Sequence, residues 1–222
     1  KSMLSAFSGC RNLVNAPVIP NSVTDMVGTF ARCSNLINAP VIPNSVIRMY
    51  STFTDCPSLV NAPVIPNSVT DMGYTFADCP KLVNAPVIPS SVKSMLSAFS
   101  GCRNLVNAPV IPNSVTDMSW TFYQCYNLVN APVIPNSVTN MSYTFAGCPK
   151  LKGNIYIKSN RINNTSMANC FKGTTLPKNV YIPSTGLDVT NNTWNAAFNA
   201  IYGINGKNGV TVYDINTYTG TY

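Results

Sequence analysis

Residues 21–43 read NSVTDMVGTFARCSNLINAPVIP, and the same 23-residue frame returns at 44–66, 67–89, 90–112 and 113–135. A further copy, 136–158, keeps the first half and ends KLKGNIYIK. Residues 1–20 are most of another copy, and 159–183 form a degenerate one of 25 residues. Residues 1–26 are identical to 93–118, an offset of four repeats, which points to recent duplication. Met3, Met26, Met49, Met72, Met95, Met118 and Met141 form one ladder, one residue per copy. Phe follows each Met by four residues, Cys by seven and Leu by ten, from Phe7, Cys10 and Leu13 to Phe145, Cys148 and Leu151. Identity at a fixed period means stacked coils, each residue resting on its counterpart in the next.

The frame predicts the shape of one coil. Apolar groups spaced by three and four across Val, Met, Phe, Cys and Leu place one side of a tight helical or 3₁₀ arc inward. Pro-Val-Ile-Pro is extended, because Pro fixes φ and disfavours helix at the residue before it. Asn-Ser after the second Pro supplies the corner. Parallel strands are therefore expected at Val41-Ile42, Val110-Ile111 and their counterparts. Eight coils at about 4.8 Å spacing give a rod of roughly 35–40 Å. The expected fold class is an α/β repeat solenoid: a leucine-rich-repeat-like parallel β-solenoid over 1–183, with a C-terminal cap over 184–222.

The Met-x-x-Thr-Phe-x-x-Cys-x-x-Leu frame resembles the BspA-type (Treponema-type) leucine-rich repeats of bacterial surface proteins. The half NSVTNMSYTFAGCPKL (136–151) is also similar to the mycoplasma surface-lipoprotein repeat. The resemblance covers 1–183 and departs from the family where Ala-Pro replaces an aliphatic in the strand segment. It implies a right-handed solenoid, surface display, and adhesion or protein binding. It carries over no catalytic residue.

Composition agrees with a non-enzyme. The chain has no His and no Glu, and its seven acids are all Asp. Imidazole is the usual general base and the commonest metal ligand near neutral pH, so His-dependent triads and common zinc sites are excluded. No cofactor and no metal are expected. Charged residues are 9% of the chain, against roughly 25% in ordinary domains. The net charge of +7 is concentrated between Asp117 and Asp188, where Lys150, Lys152, Lys158, Arg161, Lys172 and Lys178 meet no acid. This is a solvated basic face or an attraction for an anionic partner. No pattern of a specific nucleic-acid binder is present. No stretch nears the ~20 apolar residues of a membrane span, so membrane insertion is not expected.

The positions that differ between coils are where a solenoid specialises. Two residues after each Met stand Ser5, Gly28, Ser51, Tyr74, Ser97, Trp120 and Tyr143. Tyr123 and Tyr126 lie nearby, so aromatic rings concentrate on two adjacent coils. Trp and Tyr anchor interfaces and stack on sugar rings. The alternative is a half-buried ridge that shields the arc. Tyr74, Trp120, Tyr123, Tyr126, Tyr143, Lys150, Lys152 and Arg161 are the candidate binding residues, facing a protein or glycan on another surface. Eight unpaired cysteines are expected, acting as small core hydrophobes. The ladder Asn15, Asn38, Asn61, Asn84, Asn107 and Asn130 is expected to bond its side-chain amides to backbone groups. Asp25, Asp71 and Asp117 read as caps or turn residues.

Two functions fit. One is an extracellular or cell-surface binding module. The other is a structural component of an extracellular or viral (virion) assembly, with self-assembly through an open solenoid end. Beyond the repeats, Trp194, Ala197, Phe198 and Ile201 mark one face of a helix over 190–202. Residues 209–214 alternate as a strand expected beside Val180–Ile182. This helix and strand are expected to cap the last coil and make Tyr222 a natural end, whereas Lys1 opens on an uncapped coil.

Overall fold

A computed structural model describes residues 1–159, 161, 166–174, 179–182, 211–215 and 219. The repeats stack as a solenoid, here numbered coil 1 (1–20) to coil 8 (159–183), with coils 2–7 starting at 21, 44, 67, 90, 113 and 136. The four inward ladders hold: Met26, Phe30, Cys33 and Leu36 are fully buried, and so are their counterparts through coil 7. The Phe rings form one column from Phe7 to Phe171. Neighbouring centroids lie 5.4–5.8 Å apart and planes within 13° of parallel. Each buried ring contributes roughly 1.5–3 kcal/mol of apolar burial.

The coils are not joined where the sequence predicts. No backbone hydrogen bond connects Val41-Ile42, Val64-Ile65, Val87-Ile88 or Val110-Ile111 to a neighbouring coil among the described residues. The cause is proline. Two residues in this four-residue segment lack an N–H, so it cannot run a ladder. Where coil 7 replaces NAPVIP by GNIYIK, strands appear at once. β1 (Asn154–Tyr156), β2 (Asn179–Ile182) and β3 (Thr211–Asp214) form a parallel sheet in that order. Ile155 pairs with Val180, and Val180 with Val212. The expected C-terminal strand thus lies beside β2. The expected helix at 190–202 falls outside the described residues.

The stacking bonds lie instead in the arc. It holds no α-helix among the described residues; it is a chain of tight turns. Met26, Gly28, Phe30 and Arg32 donate their N–H groups to the carbonyls of Arg48, Tyr50, Thr52 and Thr54 in coil 3, at 2.8–3.0 Å. The same four bonds recur at every junction from coil 1 to coil 8. In each case the donor belongs to the earlier coil. The amides at the start of the arc, such as Ile47 N–H to Thr24 C=O, point the other way. A β-strand alternates its amides between two sides, whereas these four alternate peptide units all point one way along the rod. Left-handed backbone makes this possible. The second and fourth donors have positive φ in each coil, as at Gly28 (60°) and Arg32 (60°), or Trp120 (59°) and Gln124 (55°). Single parallel bridges flank the arc, at Asp25↔Arg48 and Asn38↔Asn61 and their equivalents.

Buried polar groups sit in ladders too. Thr52, Thr75, Thr121 and Thr144 are fully buried. The Thr52 hydroxyl lies between the carbonyls of Met26 (2.9 Å) and Met49 (2.8 Å), and its single proton is shared between them. Each core thiol from Cys33 to Cys148 donates to the Phe carbonyl of the preceding coil, at 3.0–3.1 Å. The Asn-Ser corner is a turn closed by Val23 N–H to Pro20 C=O and its repeats. Its Ser45 hydroxyl donates to the Val23 carbonyl at 2.6 Å. Asp25, Asp71 and Asp117 accept from the amide two residues on, at 2.8–3.0 Å, as turn residues do. Asn15, Asn38, Asn61, Asn84, Asn107 and Asn130 are exposed. Their backbones make the bridges, and among the described residues no hydrogen bond runs from these side-chain amides to backbone. The expected amide ladder is therefore a backbone ladder.

Candidate functional site

The position two residues after Met is a slot with left-handed backbone, exposed at Ser5, half-buried at Ser51, Tyr74, Trp120 and Tyr143, and buried at Gly28 and Ser97. Ser5, Ser51 and Ser97 hold it at φ 52–54°, and Gly28 at 60°. Tyr74 (55°), Trp120 (59°) and Tyr143 (55°) hold it as well. Left-handed backbone costs an L-residue roughly 1–2 kcal/mol, and for a bulky side chain it is an outlier. The fold obliges these residues to adopt it, because their N–H groups donate to the next coil.

The rings meet. Trp120 stacks on Tyr143 with centroids 4.0 Å apart and planes 9° from parallel. Tyr123 meets Trp120 edge-on at 4.7 Å. Such pairs add about 0.5–1.5 kcal/mol beyond area burial. All three are half-buried. Two residues not singled out from sequence fix the hydroxyls. Asn169, which occupies the same slot in coil 8, donates to the Tyr143 hydroxyl at 2.8 Å. Gln124 donates to the Tyr123 hydroxyl at 3.3 Å. The signal for Asn169 was present in the sequence, two residues after Met167, but the degenerate coil obscured it.

The other candidates lie apart from this cluster. Tyr126, 38% exposed, faces the Arg103 guanidinium at 5.5 Å from its ring centre. Tyr74 packs on Tyr50 at 5.4 Å, two coils from Trp120. Burial beside Tyr74 and Asp71 pushes the Tyr50 hydroxyl above the ordinary tyrosine range. Gly73 leaves room for that pair, since a Cβ there would come within 2.8 Å of the Tyr50 ring. Lys150 donates to the Asn127 side-chain oxygen at 2.7 Å. Lys152 and Arg161 are exposed. No contact joins these three cations to the rings among the described residues.

A second surface went unrecognised in the sequence. Val18, Val41, Val64, Val87 and Val110 are 86–93% exposed, while the Ile that follows each is buried. The expected strand residues are thus an outward apolar row, one valine per coil.

Among the described residues no cluster of three acids or cysteines is placed to hold a metal ion. Nor is any described helix long and apolar enough to cross a membrane. Burial pushes the Cys56 and Cys148 thiols up to about 12 and those of Cys79, Cys102 and Cys125 well above their ordinary value. They are protonated core groups rather than nucleophiles.

Comparison with known proteins agrees with this architecture. The model of the BspA type leucine rich repeat region matches in six copies, over residues 3–105 and 73–200. No curated protein matches the chain. A leucine-rich repeat protein from Bacteroides ovatus is similar in fold, with a TM-score of 0.51 and 19% identity. The match covers 94% of this chain and 63% of that one, so the present chain spans less than two thirds of that protein. A T. pallidum leucine-rich repeat protein gives a TM-score of 0.49 at 20% identity, over 95% of this chain and 79% of that one. Repeats of this type are in general non-catalytic protein-binding modules, typically surface-associated. The chain belongs to the BspA-type leucine-rich repeat family.

Proposed function

We propose that the chain is a non-catalytic adhesion module that takes a partner protein through the ring platform of Trp120, Tyr123 and Tyr143. The carrying observation is the backbone beneath the rings. Coils 1, 2, 3 and 5 fill the same left-handed slot with Ser or Gly and coil 8 with Asn, whereas coils 4, 6 and 7 carry Tyr74, Trp120 and Tyr143 there against the conformational preference, and those of coils 6 and 7 stack on each other. Bulky residues held in strained backbone cluster at functional sites. The rings are not needed to fill the core, which the Phe column already fills. Half-buried aromatics fixed by Asn169 and Gln124 are rigid anchors, and rigid anchors lose little entropy on binding. The module would be displayed outside the cell or on its surface. A glycan stacking on the same rings is the other partner that this chemistry admits.

The repeat supplies its own control for the test. Trp120→Ser and Tyr143→Ser install the residue that coils 1, 3 and 5 already carry at the same φ. Binding to a panel of extracellular-matrix proteins and to a glycan array should fall by at least about tenfold, or ~1.4 kcal/mol. Thermal stability should stay near that of the parent. Binding that survives both substitutions would contradict the proposal. Loss with rising salt instead would assign the contact to Lys150, Lys152 and Arg161.

The second reading, a structural part of a larger extracellular or viral assembly, draws on one observation: the exposed valine row.

A further inference from the structure

The valine row is not used by the ring platform, and its residues and spacing point to an occupant. We propose that it is a lateral interface between two copies of this chain, laid side by side with their valine rows interlocked. The first ground is periodicity. Ridges recur once per coil, and grooves open between them. The groove between coils 3 and 4, about 330 Å³, is lined by Pro63, Val64, Ile65, Pro86 and Val87 among others. Another of about 430 Å³ lies between coils 5 and 6. Only a partner with the same spacing seats a side chain in every groove, and a second copy has that spacing by construction.

Charge is the second ground. The segment NAPVIP with the Asn or Ser that follows it, as in 38–44, 61–67 and 84–90, carries no charged residue. Apart from Lys158, which lines the groove between coils 5 and 6, two copies therefore meet there without repulsion, and any other protein would need an equally neutral stripe. Area is the third. At ~25 cal/mol per Å², a fully exposed valine presents on the order of 100 Å² of apolar surface. Five valines with the flanking prolines and alanines reach on the order of 600–800 Å² per copy, close to one side of a standard interface. A patch of that size exceeds the usual apolar patch of a monomer. Rigidity is the fourth. The prolines hold the ridge before contact, so docking orders little new backbone. A two-fold arrangement of this kind closes on itself and uses the same stripe on both copies.

Sedimentation velocity over a concentration series of the full chain tests this, with V64D/V87D and W120S/Y143S beside it. Val64 and Val87 are 87% and 86% exposed, so the charged variant should keep the parent's melting temperature. The parent is expected to form a dimer as concentration rises, and raised sulfate should tighten it. V64D/V87D should weaken the dimer at least about tenfold, and W120S/Y143S should leave it unchanged. A parent that stays monomeric throughout would overturn the proposal. So would undiminished association of V64D/V87D, which would place the contact at a coil end. Loss of association in W120S/Y143S alone would assign it to the rings and overturn it too.

Discussion

Arg32 and Gly101 occupy the same place in their coils, four residues beyond the slot of Gly28 and Ser97, and both have left-handed backbone (60° and 71°). Their substitutions should therefore act in opposite directions. Arg32→Gly relieves a side chain of a conformation that costs roughly 1–2 kcal/mol, less the entropy that glycine loses on folding, for a net gain of about 0.5–1 kcal/mol. Gly101→Ala meets that cost and, in addition, the Asp78 carboxylate, 2.3 Å from where the new Cβ would stand. A loss of at least ~2 kcal/mol is expected. Denaturant melts of the two variants check both signs. The thiols make a second prediction. Burial holds Cys56 and Cys148 up at about 12, from an ordinary 9.0. A raised pKa means that the folded state keeps protons that the unfolded state gives up. The stability that they contribute is complete below pH 9 and is lost as pH rises towards 12. Melting temperature should fall through that window, and Cys56→Ala with Cys148→Ala should flatten the fall. An identical slope in that variant would assign the alkaline loss elsewhere.

One coil shows what could be read from sequence and what could not. The inward set was legible because Met, Phe, Cys and Leu repeat without exception through coil 7, and periodicity reports burial directly. The direction of the backbone was not legible. Three- and four-residue spacing fits a 3₁₀ arc and a run of left-handed turns equally well, and only φ tells them apart. The strand was misplaced because Val-Ile is β-prone, while the prolines on either side of it remove the donors a ladder needs. In the site, Trp120, Tyr123 and Tyr143 were legible as variable residues sharing two coils. The left-handed slot beneath two of them was not. Replacing NAPVIP (130–135) by GNIYIK, the sequence at 153–158, restores donors where Ile134 already bridges Ile157. β1 should gain a parallel neighbour, visible as added β-sheet absorbance in the amide I band. An unchanged band would show that something other than proline keeps the coils apart there.

The whole molecule is a nearest-neighbour stack, so its stability is close to a sum over coils and their junctions. Each junction rests on buried ladders and on four arc hydrogen bonds that point one way along the rod. The opposite side carries open grooves and exposed valines. That division of labour leaves two outward surfaces free, the rings on coils 6 and 7 and the valine row on coils 1–5. Amide hydrogen exchange, resolved by residue in dilute protein, tests that division. The amides of Phe53, Phe76 and Phe99, bonded between coils in the interior of the stack, should exchange only on global opening. Those of Val64, Val87 and Val110 should exchange orders of magnitude faster. Equal protection at the two sets of positions would contradict the account, because it would mean that the coils are joined through the Pro-Val-Ile-Pro segments after all.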